Sequence, residues 1–210
     1  MRQALVTGGC GFIGSNLAKH LFGDGWSVTI VDDMSNGHLE LLDGLDFRTI
    51  PDAGLYDSFL LAAADGNTFT DRTVLVIQDD FANPRVLSLV ASGEFDVVFH
   101  QAAVPRVSYS VEHPTETTEV NITKTVGLFE ACRNAVDRVV WASSSSVYGG
   151  ADVLPTRETE PKDPKSPYAW QKSAIEDVAK MFGDLYDLDI VCLRYFNVFG
   201  PGQYGDSPYS

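Results

Sequence analysis

Tyr168, Lys172 and Ser144 have residue types and spacing that could carry out chemistry. Tyr168 and Lys172 stand four positions apart, so on a helix they share one face and the ammonium can lie close to the phenol. A free tyrosine loses its proton at a pH of about 10, and neighbouring positive charge makes it a usable base nearer neutrality. A serine hydroxyl opposite the phenol could polarise the same substrate oxygen. A surface helix with ordinary side chains is the alternative for the tyrosine and lysine taken alone.

A glycine-rich turn near the N-terminus could hold a phosphate group. A short apolar strand ends at Val6, and Gly8, Gly11 and Gly14 stand three positions apart before a helical pattern. Gly8 allows a sharp turn, Gly11 lets the backbone approach a pyrophosphate, and Gly14 lets the helix lie close on the strand. We interpret the turn as a dinucleotide pocket, for which an ordinary strand-to-helix turn is the alternative.

The second buried strand, 26–31, ends in two acidic residues, Asp32 and Asp33. A carboxylate at this place accepts hydrogen bonds from an adenosine ribose and repels a 2′-phosphate. Asp32 therefore favours NAD over NADP as the cofactor. Its alternative role is that of a cap or turn residue before the segment 34–37.

Strands and helical segments alternate along the chain and position these groups. The pattern predicts strands at 73–78, 95–100, 139–142 and 189–194, and helices at 84–92, 114–135 and 168–185. Alternation at this spacing predicts an α/β fold with a doubly wound parallel sheet, the Rossmann fold. Between 37 and 73 the signal is weakest, with a helical turn at 39–42, a short strand at 47–50 and a helix at 57–64.

Two further strand ends carry candidate ligand contacts, because ligands bind outside the carboxyl ends of such strands. Asp80 and Phe81 lie where a side chain can reach an adenine edge. Gln101, Ala102 and Ala103 follow the next strand, where small side chains let a ligand press against the backbone. Plain packing of a helix on the sheet is an equally good interpretation of the two alanines.

Composition limits the class of protein. The chain has 210 residues, 44% of them hydrophobic and 21% charged, which is typical of one globular domain. The net charge of −14 would repel nucleic acid and anionic membranes. The three cysteines lack metal-ligand spacing, and no stretch approaches the roughly 20 apolar residues of a membrane helix. We therefore expect reduced thiols, no bound metal and a cytoplasmic location.

Taken together, the motifs resemble the extended short-chain dehydrogenase/reductase family, and within it the NAD-dependent epimerases and dehydratases. The nucleotide-sugar 4-epimerases, which act on UDP-glucose or UDP-N-acetylglucosamine, are the most similar members. The resemblance covers almost the whole chain. Its matching segments are 7–14, 32–33, 80–81, 100–103, 120–123, 143–149, 168–172 and 194–201.

The resemblance implies a role for each matching residue. It implies that Tyr168 is the catalytic base, that Lys172 tunes it and binds ribose, and that Ser144 is the partner of the substrate oxygen. Ser145, Ser146 and Asn197 are then expected to contact the substrate, and the run of four serines leaves the register open by one residue. The expected cofactor contacts are Gly8, Gly11, Phe12, Ile13, Gly14, Asp32, Asp33, Asp80, Phe81, Gln101, Ala102, Ala103, Asn121, Tyr168, Lys172 and Tyr195.

The serine run narrows the reaction that the resemblance implies. Related 4,6-dehydratases carry Asp-Glu just before the Val-Tyr-Gly segment, and UDP-glucuronate decarboxylases carry Glu, whereas this chain has Ser145 and Ser146. Without a carboxylate to drive elimination, the chain is similar to a UDP-hexose 4-epimerase that moves hydride from C4 to NAD and back to the other face. A UDP-glucuronate 4-epimerase, another 4-keto-sugar reductase, and a dinucleotide-binding module without turnover remain alternatives.

The chain departs from the family pattern at two places. Lys124 stands where relatives often carry glycine, and the segment between the second strand and Asp80 is longer than in most relatives. Family members also continue well beyond the segment 194–197. We therefore expect residues 1–195 to form an NAD-binding domain with the catalytic residues, and 196–210 to begin a truncated nucleotide-sugar domain. By analogy, the segments 114–135 and 167–187 would pair in a homodimer.

Overall fold

The buried apolar runs of the sequence form parallel strands in one sheet. A computed structural model describes residues 1–51, 73–150 and 154–203. Within these ranges the sheet has seven strands in the order β3-β4-β2-β1-β5-β6-β7. They are β1 (Gln3–Thr7), β2 (Ser27–Asp32), β3 (Phe47–Ile50), β4 (Val74–Gln78), β5 (Val97–His100), β6 (Arg138–Ser144) and β7 (Ile190–Tyr195).

The strand order confirms the predicted doubly wound sheet. On one side of β1 lie β2, β4 and the edge strand β3, and on the other side β5, β6 and β7 follow in chain order. The order therefore reverses between β1 and β5, and a crevice opens there outside the carboxyl ends of the strands.

Both faces of the sheet are buried, which explains the continuous apolar runs. Leu5, Val31 and Ile77 pack into the core on one face. Val6 and Ile30 are in the core on the other face. Side chains alternate between faces along a strand, so a strand covered on both sides needs apolar residues at every position.

The described residues form six α-helices. They are α1 (Phe12–Gly23), α2 (Pro84–Ala91), α3 (Val107–Glu112), α4 (Pro114–Thr118), α5 (Thr125–Cys132) and α6 (Pro167–Tyr186). Pro84 occupies the first turn of α2 as expected, and the Asn83 side chain caps that helix by accepting a hydrogen bond from the Arg85 backbone.

The predicted helical segment at 114–135 is present from Pro114 to Cys132, but it is not a uniform α-helix. A π-helical turn, Glu119–Lys124, separates α4 from α5, and α5 ends at Cys132. A π turn holds an extra residue, so it rotates the following side chains relative to those before it. Apolar periodicity carries no signal for this change, which coincides with polar contacts that Asn121 makes with distant parts of the chain.

Other local predictions have mixed outcomes. The helical turn (Leu39–Leu42) and strand β3 are present, and the predicted helix at 57–64 lies outside the described residues. The three cysteines are free thiols, with Cys10 and Cys132 buried. In the ranges that the structure describes, no helix is both long and apolar enough to cross a bilayer.

Candidate functional site

The glycine turn is packed so tightly that neighbouring backbone atoms exclude a side chain at Gly8 and at Gly14. Gly8 has φ of +68°, and a Cβ on it would lie 2.8 Å from the Ala102 backbone nitrogen. A Cβ on Gly14 would overlap the Gly8 carbonyl group. At Gly11, by contrast, an added Cβ would meet only the Gly8 carbonyl oxygen at 3.2 Å, so the turn is otherwise open there. The first turn of α1 therefore lies against the end of β1 with its backbone amides available to a phosphate.

Asp32 is fixed at the end of β2 beside this turn. Its carboxylate accepts hydrogen bonds from the backbone N–H groups of Cys10 and Met34, both at 2.9 Å. Burial raises the pKa of Asp32, and the two hydrogen bonds partly offset the effect. Asp33 is exposed, and its carboxylate accepts from the backbone and hydroxyl of Ser35. Of the two predicted acidic residues, only Asp32 therefore lies against the glycine turn.

Asp80 follows β4 and is held from two sides. One carboxylate oxygen accepts a hydrogen bond from the Ala82 backbone at 2.8 Å, and the other forms an ion pair with Lys124. Phe81 is buried, with its ring centroid 4.8 Å from that of His100. The carboxylate of Asp80 therefore faces the strand ends, while the ring of Phe81 packs into the core.

A chain of hydrogen bonds joins β1, β5 and α5 beneath the crevice. Thr7 Oγ1 lies 2.6 Å from His100 Nδ1, and His100 Nε2 lies 3.1 Å from Thr125 Oγ1. The Ala102 backbone N–H donates to Thr7 Oγ1 at 3.3 Å. Burial lowers the pKa of His100 to about 3. A neutral His100 ring forms both hydrogen bonds when the Thr7 hydroxyl donates to Nδ1 and Nε2–H donates to the Thr125 hydroxyl.

Gln101 presents a buried hydrogen-bond donor without a partner. Its Oε1 accepts from the Tyr195 hydroxyl at 3.2 Å. Its Nε2 is buried and makes no hydrogen bond within the described residues. Burial raises the pKa of Tyr195. An unpaired buried amide is costly, so this nitrogen is a natural contact for a polar ligand group.

Asn121 does not direct its side chain toward the crevice. Its amide oxygen accepts from the Val104 backbone at 2.9 Å, and its amide nitrogen donates to the Val104 carbonyl and to Gln171 Oε1. Gln171 in turn donates to Thr117 and Thr118. Asn121 therefore holds the loop that follows Ala103. The resemblance implied instead that Asn121 contacts the cofactor directly.

Ser144, Tyr168 and Lys172 line one cleft of about 690 Å³ at the carboxyl ends of the strands. Phe12 and Ile13 from the glycine turn border the same cleft. It also brings together the other predicted contacts Gln101, Ala103, Ser145, Ser146, Tyr195 and Asn197. None of the described residues lining this cleft is Asp, Glu or His.

Lys172 is almost completely buried, with 3% of its surface exposed. Its Nζ donates to the Ala142 carbonyl at 2.7 Å and lies 4.7 Å from the Trp141 ring centroid and 5.7 Å from the Tyr168 ring centroid. Burial lowers its pKa to about 7. The lysine nitrogen is thus on the same helix face as the phenol, as the spacing predicts.

The serine run divides between two environments. Ser143 Oγ donates to Glu176 at 2.6 Å and is buried. Ser144 Oγ accepts from the backbone N–H of Ser146 at 3.1 Å and lies 2.9 Å from its hydroxyl. Ser143 is engaged on the side of α6, whereas Ser144, Ser145 and Ser146 line the cleft with Tyr168, so the assignment of Ser144 to the substrate oxygen stays a prediction.

Sequence reasoning missed the ion pair that supports this serine run. Arg194 in β7 makes two hydrogen bonds to the Glu176 carboxylate, at 2.8 and 2.7 Å, and one to the Tyr148 hydroxyl at 2.8 Å. Burial raises the pKa of Glu176, but the bonds from Arg194 and Ser143 outweigh burial and hold it below its usual value. An arginine within an otherwise apolar strand pattern was the available signal, because a buried cation needs a partner.

The residues fit a dinucleotide. The open space over Gly11, the carboxylate of Asp32 and the unpaired Gln101 amide lie along the crevice where the strand order reverses. No group of three or more His, Cys, Asp or Glu in the described segments is arranged to hold a metal ion. Fold and cleft together define a dinucleotide-binding α/β protein with a serine, tyrosine and lysine at its centre.

Comparison with known proteins identifies the family. The chain belongs to the NAD-dependent epimerase/dehydratase family, whose model matches residues 4–210. It is 38% identical over 203 residues to a UDP-glucose 4-epimerase of Mycolicibacterium smegmatis, covering 96% of this chain and 58% of that protein.

Solved structures agree with this assignment. The fold is similar to UDP-N-acetylglucosamine 4-epimerase of Methanobrevibacter ruminantium in complex with UDP-N-acetylmuramic acid, with a TM-score of 0.81 and 36% identity, covering 100% of this chain and 59% of that one. It is also similar to the Thermus thermophilus UDP-glucose 4-epimerase complex with NAD, with a TM-score of 0.77 and 31% identity, covering 99% and 59%. The chain therefore spans less than two thirds of the length of these relatives.

Proposed function

We propose that this chain binds NAD and carries the catalytic residues of a UDP-hexose 4-epimerase. The substrate would be UDP-glucose and UDP-galactose or their N-acetyl forms. The observation that carries the proposal is the cleft, which holds Ser144, Tyr168 and Lys172 and no carboxylate or histidine among its described residues. Elimination or decarboxylation would need a further acid or base, whereas reversible hydride transfer needs only the proton of one hydroxyl group to be moved.

Each of the three residues has a definite role in this proposal. Tyr168 takes the proton of the sugar 4-hydroxyl and later returns it, while Ser144 donates a hydrogen bond to the same oxygen. Lys172, with its nitrogen beside the phenol ring, favours the phenolate when it is protonated. Bound NAD would accept the hydride from C4 and give it back.

Asp32 supports NAD rather than NADP as the cofactor. Its buried carboxylate, 7% exposed, already accepts two backbone hydrogen bonds and would face the 2′-position of a ribose bound beside the glycine turn. A 2′-phosphate there would place two negative charges together. Binding of NAD to the purified chain, with NADP binding much more weakly, is the first expected result.

The test of the proposed base replaces Tyr168 with Phe and follows both turnover and NAD binding. We expect Tyr168→Phe to lower turnover of UDP-glucose or UDP-N-acetylglucosamine by about 10²-fold or more, the range for general acid–base catalysis, and to leave NAD bound. Tyr109→Phe removes a hydroxyl that is bonded to Glu116 away from the cleft, so it should leave turnover unchanged.

The outcomes separate the alternatives. Turnover of UDP-glucuronate alone would replace the UDP-hexose assignment. NAD binding with no turnover of any UDP-sugar would contradict the epimerase proposal for this chain and leave a dinucleotide-binding module. Absence of extractable NAD, together with no stabilisation by added NAD, would overturn the cofactor proposal as well.

Domain organisation and assembly remain predictions. We propose residues 1–195 as the cofactor domain and 196–210 as the start of a nucleotide-sugar domain. A homodimer is supported by exposed apolar side chains on α6, where Trp170, Met181 and Leu185 are 53%, 46% and 64% exposed. These three positions fall on one face of the helix.

A further inference from the structure

The segment 196–203, which follows β7 and which we call the strap, runs across the crevice. It starts beside Tyr195, the last residue of β7, and Asn16 in α1 donates from Nδ2 to the Pro201 carbonyl oxygen at 2.8 Å. Strands β6 and β5 separate β7 from β1, which α1 follows. Three strand spacings amount to roughly 14 Å, and the six residues from Tyr195 to Pro201 reach at most about 20 Å. The strap therefore has little slack and passes directly over the carboxyl ends of β6 and β5.

The far end of the strap packs on the elements beside the glycine turn. Gly202 has φ of +82°, and its backbone lies so close to Leu41 that a Cβ would be 2.8 Å from Leu41 Cδ2. Gly200 faces the Phe12 ring, which a Cβ would approach to 3.7 Å. Asn16 also donates to the Phe12 carbonyl oxygen at 2.8 Å. One asparagine side chain thus joins the first turn of α1 to the strap.

The middle of the strap is held weakly. Its residues 196–200 lie outside helices and strands, and Phe196, Val198 and Phe199 are 57%, 38% and 88% exposed. Apolar side chains left in water contribute little stabilisation, so the two ends determine where the strap lies. The strap residues that line the cleft with Ser144, Tyr168 and Lys172 are Phe196, Asn197, Val198 and Gln203.

A bound dinucleotide would lie under the strap. With its adenosine ribose at Asp32 on β2 and its nicotinamide near Tyr168 on α6, NAD would extend along the same strand ends that the strap crosses. This placement rests on the proposed binding of NAD. We propose that the strap controls entry and release of the cofactor, and that Asn16 is the positioning residue that keeps it closed. NAD would then pass only when the Asn16–Pro201 hydrogen bond and the packing of Gly202 on Leu41 are broken.

This role has a kinetic signature that a direct contact with NAD lacks. The Asn16–Pro201 hydrogen bond joins two parts of the chain, so a strap closed in both the free and the bound chain contributes equally to the two states. Weakening it should raise the rates of entry and release by similar factors and leave the dissociation constant nearly unchanged. A side chain that contacts NAD directly would, when removed, raise the release rate and the dissociation constant together.

The experiment measures both rates by stopped-flow fluorescence, with NADH as the probe. Association is followed on mixing NADH with the chain, and release is followed when excess NAD displaces bound NADH. We expect Asn16→Ala to raise both rates about fivefold, the effect of one hydrogen bond, and to change their ratio by less than about twofold. Leu41→Ala loosens the other contact through packing and should shift both rates in the same direction.

A matched control and the pair of rates separate the possible failures. Ser88→Ala removes a side-chain hydrogen bond to a carbonyl oxygen one turn back, that of Pro84 in α2, far from the strap, and should leave both rates unchanged. Unchanged rates in Asn16→Ala and Leu41→Ala overturn the inference, and so does a faster release with unchanged association.

Failure of the proposed cofactor site gives a different result. A wild-type chain that binds no NADH would overturn the NAD site and the role of the strap with it. Thermal unfolding identifies a variant that does not fold, in which case the other of the two strap variants, Asn16→Ala or Leu41→Ala, decides the outcome.

Discussion

Replacing Lys172 with Met should change how the stability of the chain depends on pH. In the folded chain, burial lowers the pKa of Lys172 from 10.5 to about 7. The unfolded chain therefore binds this proton, and the folded chain does not, throughout the interval between those values. Stability rises with pH wherever the unfolded state binds more protons, so the free energy of unfolding should increase from about pH 7 upward.

The expected size follows from the same shift. One proton difference is worth about 1.4 kcal/mol for each pH unit, so the wild-type chain should gain about 2 kcal/mol between about pH 6 and 8.5 through Lys172 alone. Met fills similar volume without a charge, so Lys172→Met should lack this gain. Urea unfolding followed by tryptophan fluorescence at several pH values measures the difference between the two proteins.

The pH range of this measurement has an upper limit set by the thiols. Burial raises the pKa of Cys10, Cys132 and Cys192 from 9.0 to about 12. These groups act in the opposite direction, because above pH 9 the unfolded chain loses thiol protons that the fold retains. Below that limit, parallel pH profiles for the wild-type and Lys172→Met chains would refute the assignment of a depressed lysine pKa.

Two further predictions concern packing and charge. Gly14→Ala should lower the free energy of unfolding by about 1–3 kcal/mol because its Cβ would overlap the Gly8 carbonyl. Gly23→Ala lies in the same helix with open space around it, so it should raise the free energy of unfolding by up to about 1 kcal/mol. Equal effects of the two substitutions in urea unfolding would contradict this prediction. Glu176→Gln should lower the free energy of unfolding by about 1–3 kcal/mol at neutral pH, because the partly buried guanidinium of Arg194 loses its counter-charge. Because the pKa of Glu176 is depressed, this loss should diminish as the pH falls through that pKa, and a loss independent of pH down to acid unfolding would argue against the ion pair as its cause.

Much of the fold could be predicted because its causes are local in sequence. Apolar runs between Gly and Pro residues predicted strands that are buried on both faces of the sheet. The glycine spacing likewise predicted a turn in which Gly8 and Gly14 admit no side chain. In these cases neighbouring residues determine the backbone conformation, so their order along the chain is sufficient information.

The remaining features depend on contacts between distant segments. The amide of Asn121 bonds to Val104 and to Gln171, which is 50 positions away, and the pairing coincides with the π turn that divides the predicted helix. Glu176 and Arg194 meet only because α6 and β7 pack together around Ser143. No periodic pattern in the sequence encodes these long-range contacts. For this reason Asn121 was expected in the cofactor site, and no role was expected for Glu176.

His100 has a consequence for the conditions that the chain can tolerate. Its ring joins Thr7 and Thr125 as a neutral spacer, and burial holds its pKa near 3. In the unfolded chain this histidine takes up a proton below a pH of about 6.5. Acidification therefore favours the unfolded state, because His100 stays unprotonated in the folded state. The hydrogen bonds beneath the glycine turn therefore have one arrangement in neutral and alkaline solution, and acidification below a pH of about 6.5 lowers the free energy of unfolding of the chain.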